Sequence, residues 1–110
     1  MNIVYTETAR QDMRDTYAYI ASVLLAPEAA QNLMEQIMGT IRSLETLAER
    51  NPLYKDEPWH SLGVRFVPVK NYLVFYTVNK KTNTVYVVRI MYGGRDVSRQ
   101  LWETSDWPTV

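Results

Sequence analysis

The 110-residue chain contains no cysteine, which excludes disulfide frameworks, thiolate zinc sites and cysteine nucleophiles. Its four glycines and five prolines are too few for a collagen-like or low-complexity chain. No apolar run approaches the ~20 residues of a membrane-spanning helix. The N-terminus has neither a basic lead nor a long apolar stretch, so we expect no signal peptide and no membrane partner. We therefore expect one cytoplasmic domain over residues 1–110, long enough to bury its own core.

The net charge is zero, because twelve Lys and Arg balance twelve Asp and Glu, but the charges are distributed unevenly along the chain. The net charge is −4 over residues 1–59, +6 over residues 60–99 and −2 over residues 100–110. A basic segment in a neutral protein indicates either a surface for an anionic partner, such as nucleic acid or an acidic peptide, or lysines that are simply solvated at turns. We prefer solvation for Lys80 and Lys81.

The N-terminal residues have the pattern of a strand followed by a helix. Residues 3–5 are β-prone, and Thr8 with Gln11 has the spacing of a capping box, which predicts a helix from there to about Leu25. Apolar residues recur at helical spacing along this segment, at Met13, Tyr17, Ile20 and Leu24.

A second helix is predicted from Pro27 to about Glu49, ending before residues 51–52 (Asn-Pro). Its apolar stripe consists of Ala30, Leu33, Met34, Ile37, Ile41 and Leu44. The two helices form a hairpin, and Ile37 and Leu44 should lie in the core because the stripes have to be buried against the rest of the domain.

The remaining sequence predicts three antiparallel strands after an irregular crossover at residues 52–63. The strands are placed at residues 64–69, 72–78 and 84–92, which are rich in Val, Tyr, Phe and Ile. The predicted fold class is therefore α+β, in the order β-α-α-β-β-β. The helical hairpin packs on one face of a small antiparallel sheet and leaves the other face partly open.

Alternation within the last two strands assigns their side chains to the two faces of the sheet. We place on the helix-covered face Tyr72, Val74, Tyr76, Val78, Tyr86, Val88, Ile90 and Tyr92. The open face then carries Leu73, Phe75, Thr77, Val87, Arg89 and Met91. Trp102 and Trp107 either pack on the sheet or cover a surface that a partner occupies.

Few residues offer chemistry of their own. His60 is the only histidine and lies in a loop with no nucleophile elbow nearby, so we interpret it as a partly exposed loop residue. The pair Gly93-Gly94 lacks the context of a dinucleotide or phosphate loop and predicts a turn. No spacing of His and carboxylates indicates a metal site, and we expect no cofactor.

Four arginines remain as candidate binding residues: Arg65, Arg89, Arg95 and Arg99. Arginine is well suited to bind phosphates and carboxylates. Arg89 has two interpretations, a structural ion pair at the sheet edge with Asp96 or a contact with a partner. Arg95 follows the double glycine, and we expect the turn to direct its side chain toward the open face.

With this architecture, the chain resembles the RelE/ParE superfamily of small toxins from bacterial type II toxin–antitoxin modules over almost its whole length. The order and spacing of several segments together carry the resemblance: VYTETA at 4–9, YAYIA at 17–21, NP at 51–52, GVRFVPV at 63–69, NYLVFY at 71–76 and VVRIMYGGRD at 87–96. The resemblance implies a toxin silenced by an antitoxin whose C-terminal segment wraps the sheet and helices, and hence a hetero-oligomer.

The superfamily divides by target. RelE-like members cut mRNA on the ribosome with cationic residues on the open sheet face, and only Arg95 matches their catalytic arginine. Leu73 stands where they carry a middle-strand arginine, and no histidine or tyrosine follows Arg95 closely. A chain that lacks most of these nuclease residues resembles ParE, whose members inhibit DNA gyrase. This inhibition is the predicted function. The alternatives are a RelE-like ribosome-dependent mRNA endonuclease and a degenerate, non-toxic antitoxin-binding module.

The same resemblance turns the basic and apolar sheet residues into predicted contacts with the antitoxin or the target. These contacts are Arg65, Leu73, Phe75, Arg89, Arg95 and Arg99. Arg95 is in addition the predicted catalytic residue if the protein is RelE-like.

Overall fold

The structure is a computed structural model that describes residues 1–94 and 96–108. It has the predicted α+β fold, with a helical hairpin packed on a four-stranded sheet. The elements are β1 (Asn2–Tyr5), α1 (Glu7–Ala18) with a π-helical turn (Tyr19–Val23), α2 (Pro27–Leu47) with a 3-10 turn (Ala48–Arg50), β2 (Arg65–Val69), β3 (Tyr72–Asn79), β4 (Thr84–Tyr92) and α3 (Val97–Glu103).

The strands lie in the order β1-β4-β3-β2. As predicted, β2, β3 and β4 form an antiparallel meander, while β1 pairs with β4 in parallel. A parallel pair needs a long crossover connection, and the helical hairpin is part of that connection.

The N-terminus of α1 is capped by Thr6, so the predicted capping box at Thr8 is wrong. Thr6 has an extended backbone, and its side-chain oxygen accepts a hydrogen bond of 3.1 Å from the amide of Ala9. Thr8 lies inside the helix. Its amide and its hydroxyl donate to the carboxylate of Asp106, at 3.0 and 2.6 Å. The capping-box pattern fails because a tertiary contact uses the groups that would have formed it.

Helix α2 agrees closely with the prediction. Pro27 occupies its first turn, and the residues that it buries are those of the predicted stripe: Ala30, Leu33, Met34, Ile37, Ile41 and Leu44. Ile37 and Leu44 are fully buried, which confirms their place in the core. In the preceding connection Leu25 takes a left-handed backbone, with φ 54°, and its side chain is 81% exposed.

The face assignment is right for β3 but wrong for part of β4. Phe75 pairs with Arg89 and Tyr76 pairs with Val87, so Val88 is an extra residue in β4. This β-bulge reverses the alternation on the N-terminal side of Val88. Val87 therefore packs on the helix side, where the alternation predicted the opposite. Tyr86 and Val88 pack on the other face.

The second face of the sheet is covered, and the expectation of a partly open face is wrong. Helix α3 and the 52–63 loop lie over it, and Phe75 is fully buried there. The apolar cluster on this face contains Trp59, Val64, Phe75, Val88, Met91 and Leu101, with Leu73 and Trp107 packed against it. Trp102 stays 67% exposed, and its ring contacts that of Trp59 edge to face at 5.3 Å.

Candidate functional site

Arg89 holds helix α1 against the sheet. Its Nε and Nη2 atoms donate to the two carboxylate oxygens of Asp12, at 2.8 and 3.0 Å, and both side chains are only 13% exposed. Asp12 also accepts a hydrogen bond of 2.9 Å from the amide of Ile90. A bidentate arginine–carboxylate ion pair of this kind is geometrically specific and strong.

The same guanidinium group reaches α3. Its Nη1 atom donates to the carbonyl of Gln100 at 3.0 Å and to the hydroxyl of Thr104 at 3.1 Å. The structural interpretation of Arg89 therefore has a geometric basis, but its partner is Asp12, and the predicted pairing with Asp96 is wrong. Sequence reasoning did not single out Asp12. A carboxylate at the margin of a helix stripe, with an arginine in a strand, was the available signal.

Arg65 lies on the helix side of the sheet. It pairs across the strands with Tyr76, which packs against Leu44 of α2, and directly paired residues share a face. Its Nη1 atom donates to the carbonyl of Asn51 at 2.6 Å. Arg65 thus does not share a surface with Leu73 and Phe75, which belong to the opposite cluster.

Tyr76 ties the end of α2 to this network. Its hydroxyl donates to the carbonyl of Ala48 and accepts a hydrogen bond of 3.1 Å from the side-chain amide of Asn51. Burial raises the pKa of Tyr76 above its ordinary value, against the opposing effects of Asn51 and Arg65. The phenol is therefore neutral and serves as a structural hydrogen-bonding group.

The remaining predicted residues are more exposed or not described. Arg99 on α3 is 68% exposed and lies 3.4 Å from a carboxylate oxygen of Asp96 and 3.8 Å from one of Glu103. Arg95 lies outside the described residues. His60 lies in a loop turn and is exposed, as predicted.

Two kinds of site find no support in residues 1–94 and 96–108. These residues contain no group of three or more His, Asp or Glu side chains placed to hold a metal ion. Within the same part of the chain, no helix is long and apolar enough to cross a membrane.

An open groove of about 700 Å³ separates the end of α1 from the end of the sheet. Three tyrosines line it: Tyr19, Tyr72 and Tyr92. The rings of Tyr72 and Tyr92 meet edge to face, with centroids 5.6 Å apart. Burial raises the pKa of Tyr72, and the nearby Tyr92 and Tyr19 raise it further. The alternation pattern assigned Tyr72 and Tyr92 to the core, so sequence reasoning did not find this groove.

The end of the helical hairpin next to this groove presents exposed aliphatic side chains. Val23, Leu24 and Leu25 are all exposed, and Leu24 also lines the groove. Three consecutive exposed aliphatic side chains on a small domain are suited to a contact with another protein.

A scan against protein families matches residues 3–97 to the family described as "ParE toxin of type II toxin-antitoxin system, parDE". This chain belongs to the ParE toxin family. The matched range includes the helical hairpin, the sheet except its first residue Asn2, and the Asp12–Arg89 pair, and it ends at the first residue of α3. The protein is therefore a toxin of a type II toxin–antitoxin system.

Several solved structures have a similar fold. The chain is similar to a protein of the chromosomal ParDE toxin–antitoxin system of P. aeruginosa, with a TM-score of 0.69, 22% identity, and coverage of 86% of this chain and 97% of that one. The chain is also similar to a protein of the RelBE2 toxin–antitoxin complex of Mycobacterium tuberculosis, with a TM-score of 0.56, 20% identity, and coverage of 83% of this chain and 95% of that one. For the isolated E. coli RelE toxin the TM-score is 0.53 and the identity 15%, and the match covers 93% of this chain and 94% of that one. A comparison with the curated proteins gave no match.

Proposed function

We propose that this ParE-family toxin inhibits DNA gyrase in the cytoplasm and is neutralised by a cognate antitoxin. The family match supports the ParE branch over the RelE branch, because the matched family is that of ParE toxins. The proposed inhibition is a binding activity and requires no catalytic group on the toxin.

One observation carries the choice of gyrase over mRNA. The arginines in the described strands are used inside the fold, since Arg89 is paired with Asp12 and Arg65 is bonded to the carbonyl of Asn51. A nuclease that stabilises a phosphorane-like transition state needs cationic donors aimed at the substrate. The sheet face where such donors would stand instead carries a buried apolar cluster around Phe75.

An antitoxin partner is supported by the relatives. The M. tuberculosis structure is described as a toxin–antitoxin complex, and the P. aeruginosa structure as a ParDE toxin–antitoxin system. On this chain the exposed apolar end of the helical hairpin is suited to such a contact, because burying it removes apolar surface from water. Arg95 and Arg99 remain proposed contact residues. Phe75 would contact a partner only if α3 and the 52–63 loop moved.

A supercoiling assay tests the proposal. Purified toxin is added to gyrase, ATP and relaxed plasmid, and the supercoiled product is measured on gels. We expect a dose-dependent loss of supercoiling at micromolar toxin, which is reversed when the protein of the neighbouring reading frame is added as antitoxin. Relaxation by a type I topoisomerase is the control and should be unaffected. Unchanged gyrase activity at these concentrations would contradict the proposal.

A further inference from the structure

The groove at the end of α1 is lined by aromatic side chains. Tyr19 and Tyr92 are exposed, and Tyr72 is half-buried between them and the core. Ile20 and Ile90 supply apolar surface. The negative face of an aromatic ring attracts a cation within about 6 Å of its centroid. Three tyrosines around one opening therefore form a surface that favours a positively charged group with an apolar stem.

The charges around the groove favour the same ligand. Three charged residues of the described chain line the groove, Asp12, Asp15 and Arg89. Asp12 and Arg89 neutralise each other. The side chain of Asp15 accepts a hydrogen bond of 2.7 Å from Gln11, and no cation of the described residues lies within ion-pairing distance of it. The described rim is thus left with one net negative charge on an exposed carboxylate.

We propose that this groove binds a lysine or arginine side chain of the antitoxin. The charged head of that side chain lies against Asp15 and the tyrosine rings, and its aliphatic stem lies against Ile20. The choice of partner rests on the proposed function. The chemistry of the ligand does not, because it follows from the rings and the carboxylate. A side chain of this length fits an opening of about 700 Å³ and leaves room for neighbouring residues of the same segment.

A peptide titration tests the ligand chemistry. The probes are five-residue alanine peptides with a central arginine, lysine, citrulline or norleucine, and the signals are the tyrosine ring resonances of the toxin. We expect the two cationic peptides to shift the resonances of Tyr19, Tyr72 and Tyr92 saturably. The neutral peptides should bind more weakly. Equal binding of arginine and citrulline peptides would overturn the proposal, as would shifts that do not saturate or lie elsewhere.

Two substitutions identify the groups that bind the cation. Asp15→Asn and Tyr92→Leu should each weaken binding of the arginine peptide by about two- to fivefold, the scale of one exposed ion pair or cation–π contact. Tyr17→Leu is the matched control. Tyr17 is exposed like Tyr92, but it lies on α1 and lines a different groove with Met13 and Met38. The proposal is contradicted if this control weakens binding as much as Tyr92→Leu does.

The complex with the antitoxin separates this inference from the proposed function. Its dissociation constant should rise for Asp15→Asn and Tyr92→Leu, and the change should be smaller at high salt for the carboxylate variant. A complex whose affinity is unaffected by both variants would contradict the groove assignment while leaving the toxin–antitoxin pairing intact. A wild-type toxin that forms no complex but still binds the cationic peptides would count against the antitoxin as partner.

Discussion

Asp12 on α1 and Arg89 on β4 lie 77 positions apart in the sequence and are joined by two hydrogen bonds, of 2.8 and 3.0 Å. Since Arg89 also bonds to Gln100 and Thr104, this one guanidinium group connects the first helix, the last strand and the last helix. The pair therefore fixes α1, β4 and α3 relative to one another, and all three border the tyrosine-lined groove.

Asp12→Ala should lower the free energy of unfolding by about 3 kcal/mol, because it leaves a largely buried guanidinium group without its counter-ion. The measurement is urea unfolding followed by circular dichroism. Glu7→Ala is the matched control on the same helix, since Glu7 forms an exposed ion pair with Arg14, and it should cost less than about 1 kcal/mol. Equal costs for the two variants would show that the Asp12–Arg89 pair does not hold the fold.

The sequence predicted correctly those parts of the fold that a local residue pattern determines. The stripe of α2 was predicted correctly because a 3.6-residue apolar period has one way to be buried, as Ile37 and Leu44 illustrate. The bulge at Val88 could not be read from alternation, because a single extra residue in β4 changes the face of its neighbours without any local signal.

The candidate site was predicted less well than the fold. Arginines at 65 and 89 were identified, but their roles depend on partners far away in sequence, Asn51 and Asp12. Helix α3 was not predicted, because it is only seven residues long and its amphipathic pattern is short. Without α3, the face around Phe75 was expected to be open.

Truncation of Phe75 tests whether this face is covered. Phe75→Ala should lower the free energy of unfolding by about 3–5 kcal/mol, the usual cost of removing a fully buried aromatic side chain. Leu62→Ala, in the loop over the same face, is the control because Leu62 is exposed, and it should cost no more than about 0.5 kcal/mol. A small cost for Phe75→Ala would mean that the face is open in solution.

The bond between Asp106 and Thr8 gives the fold a dependence on pH. Partial burial raises the pKa of Asp106, but the hydrogen bonds from Thr8 and the charge of Arg89 outweigh that effect and leave the pKa below its ordinary value of 3.8. Ionised Asp106 therefore stabilises the folded chain above that value, and the contribution disappears as the pH falls through the lower, folded-state pKa.

Asp106→Asn should consequently be less stable than the wild type at pH 6, by about 1 kcal/mol for a partly exposed charged hydrogen bond. The difference should shrink as the pH is lowered below the ordinary value of 3.8. Urea unfolding at several pH values measures it. Glu103→Gln is the control, since Glu103 is an exposed carboxylate of α3. A difference between wild type and Asp106→Asn that does not change with pH would contradict this assignment.

The most direct test of gyrase inhibition is a time course in cells in which the toxin is induced while plasmid supercoiling and mRNA 5′ ends are followed in the same samples. For the wild type we expect an early loss of negative supercoiling while the mRNA stays intact. The mRNA should also stay intact when Arg95→Ala is induced. The contrary result is prompt cleavage of ribosome-bound mRNA, lowered about 100-fold by Arg95→Ala as expected for loss of a transition-state donor, with supercoiling unchanged.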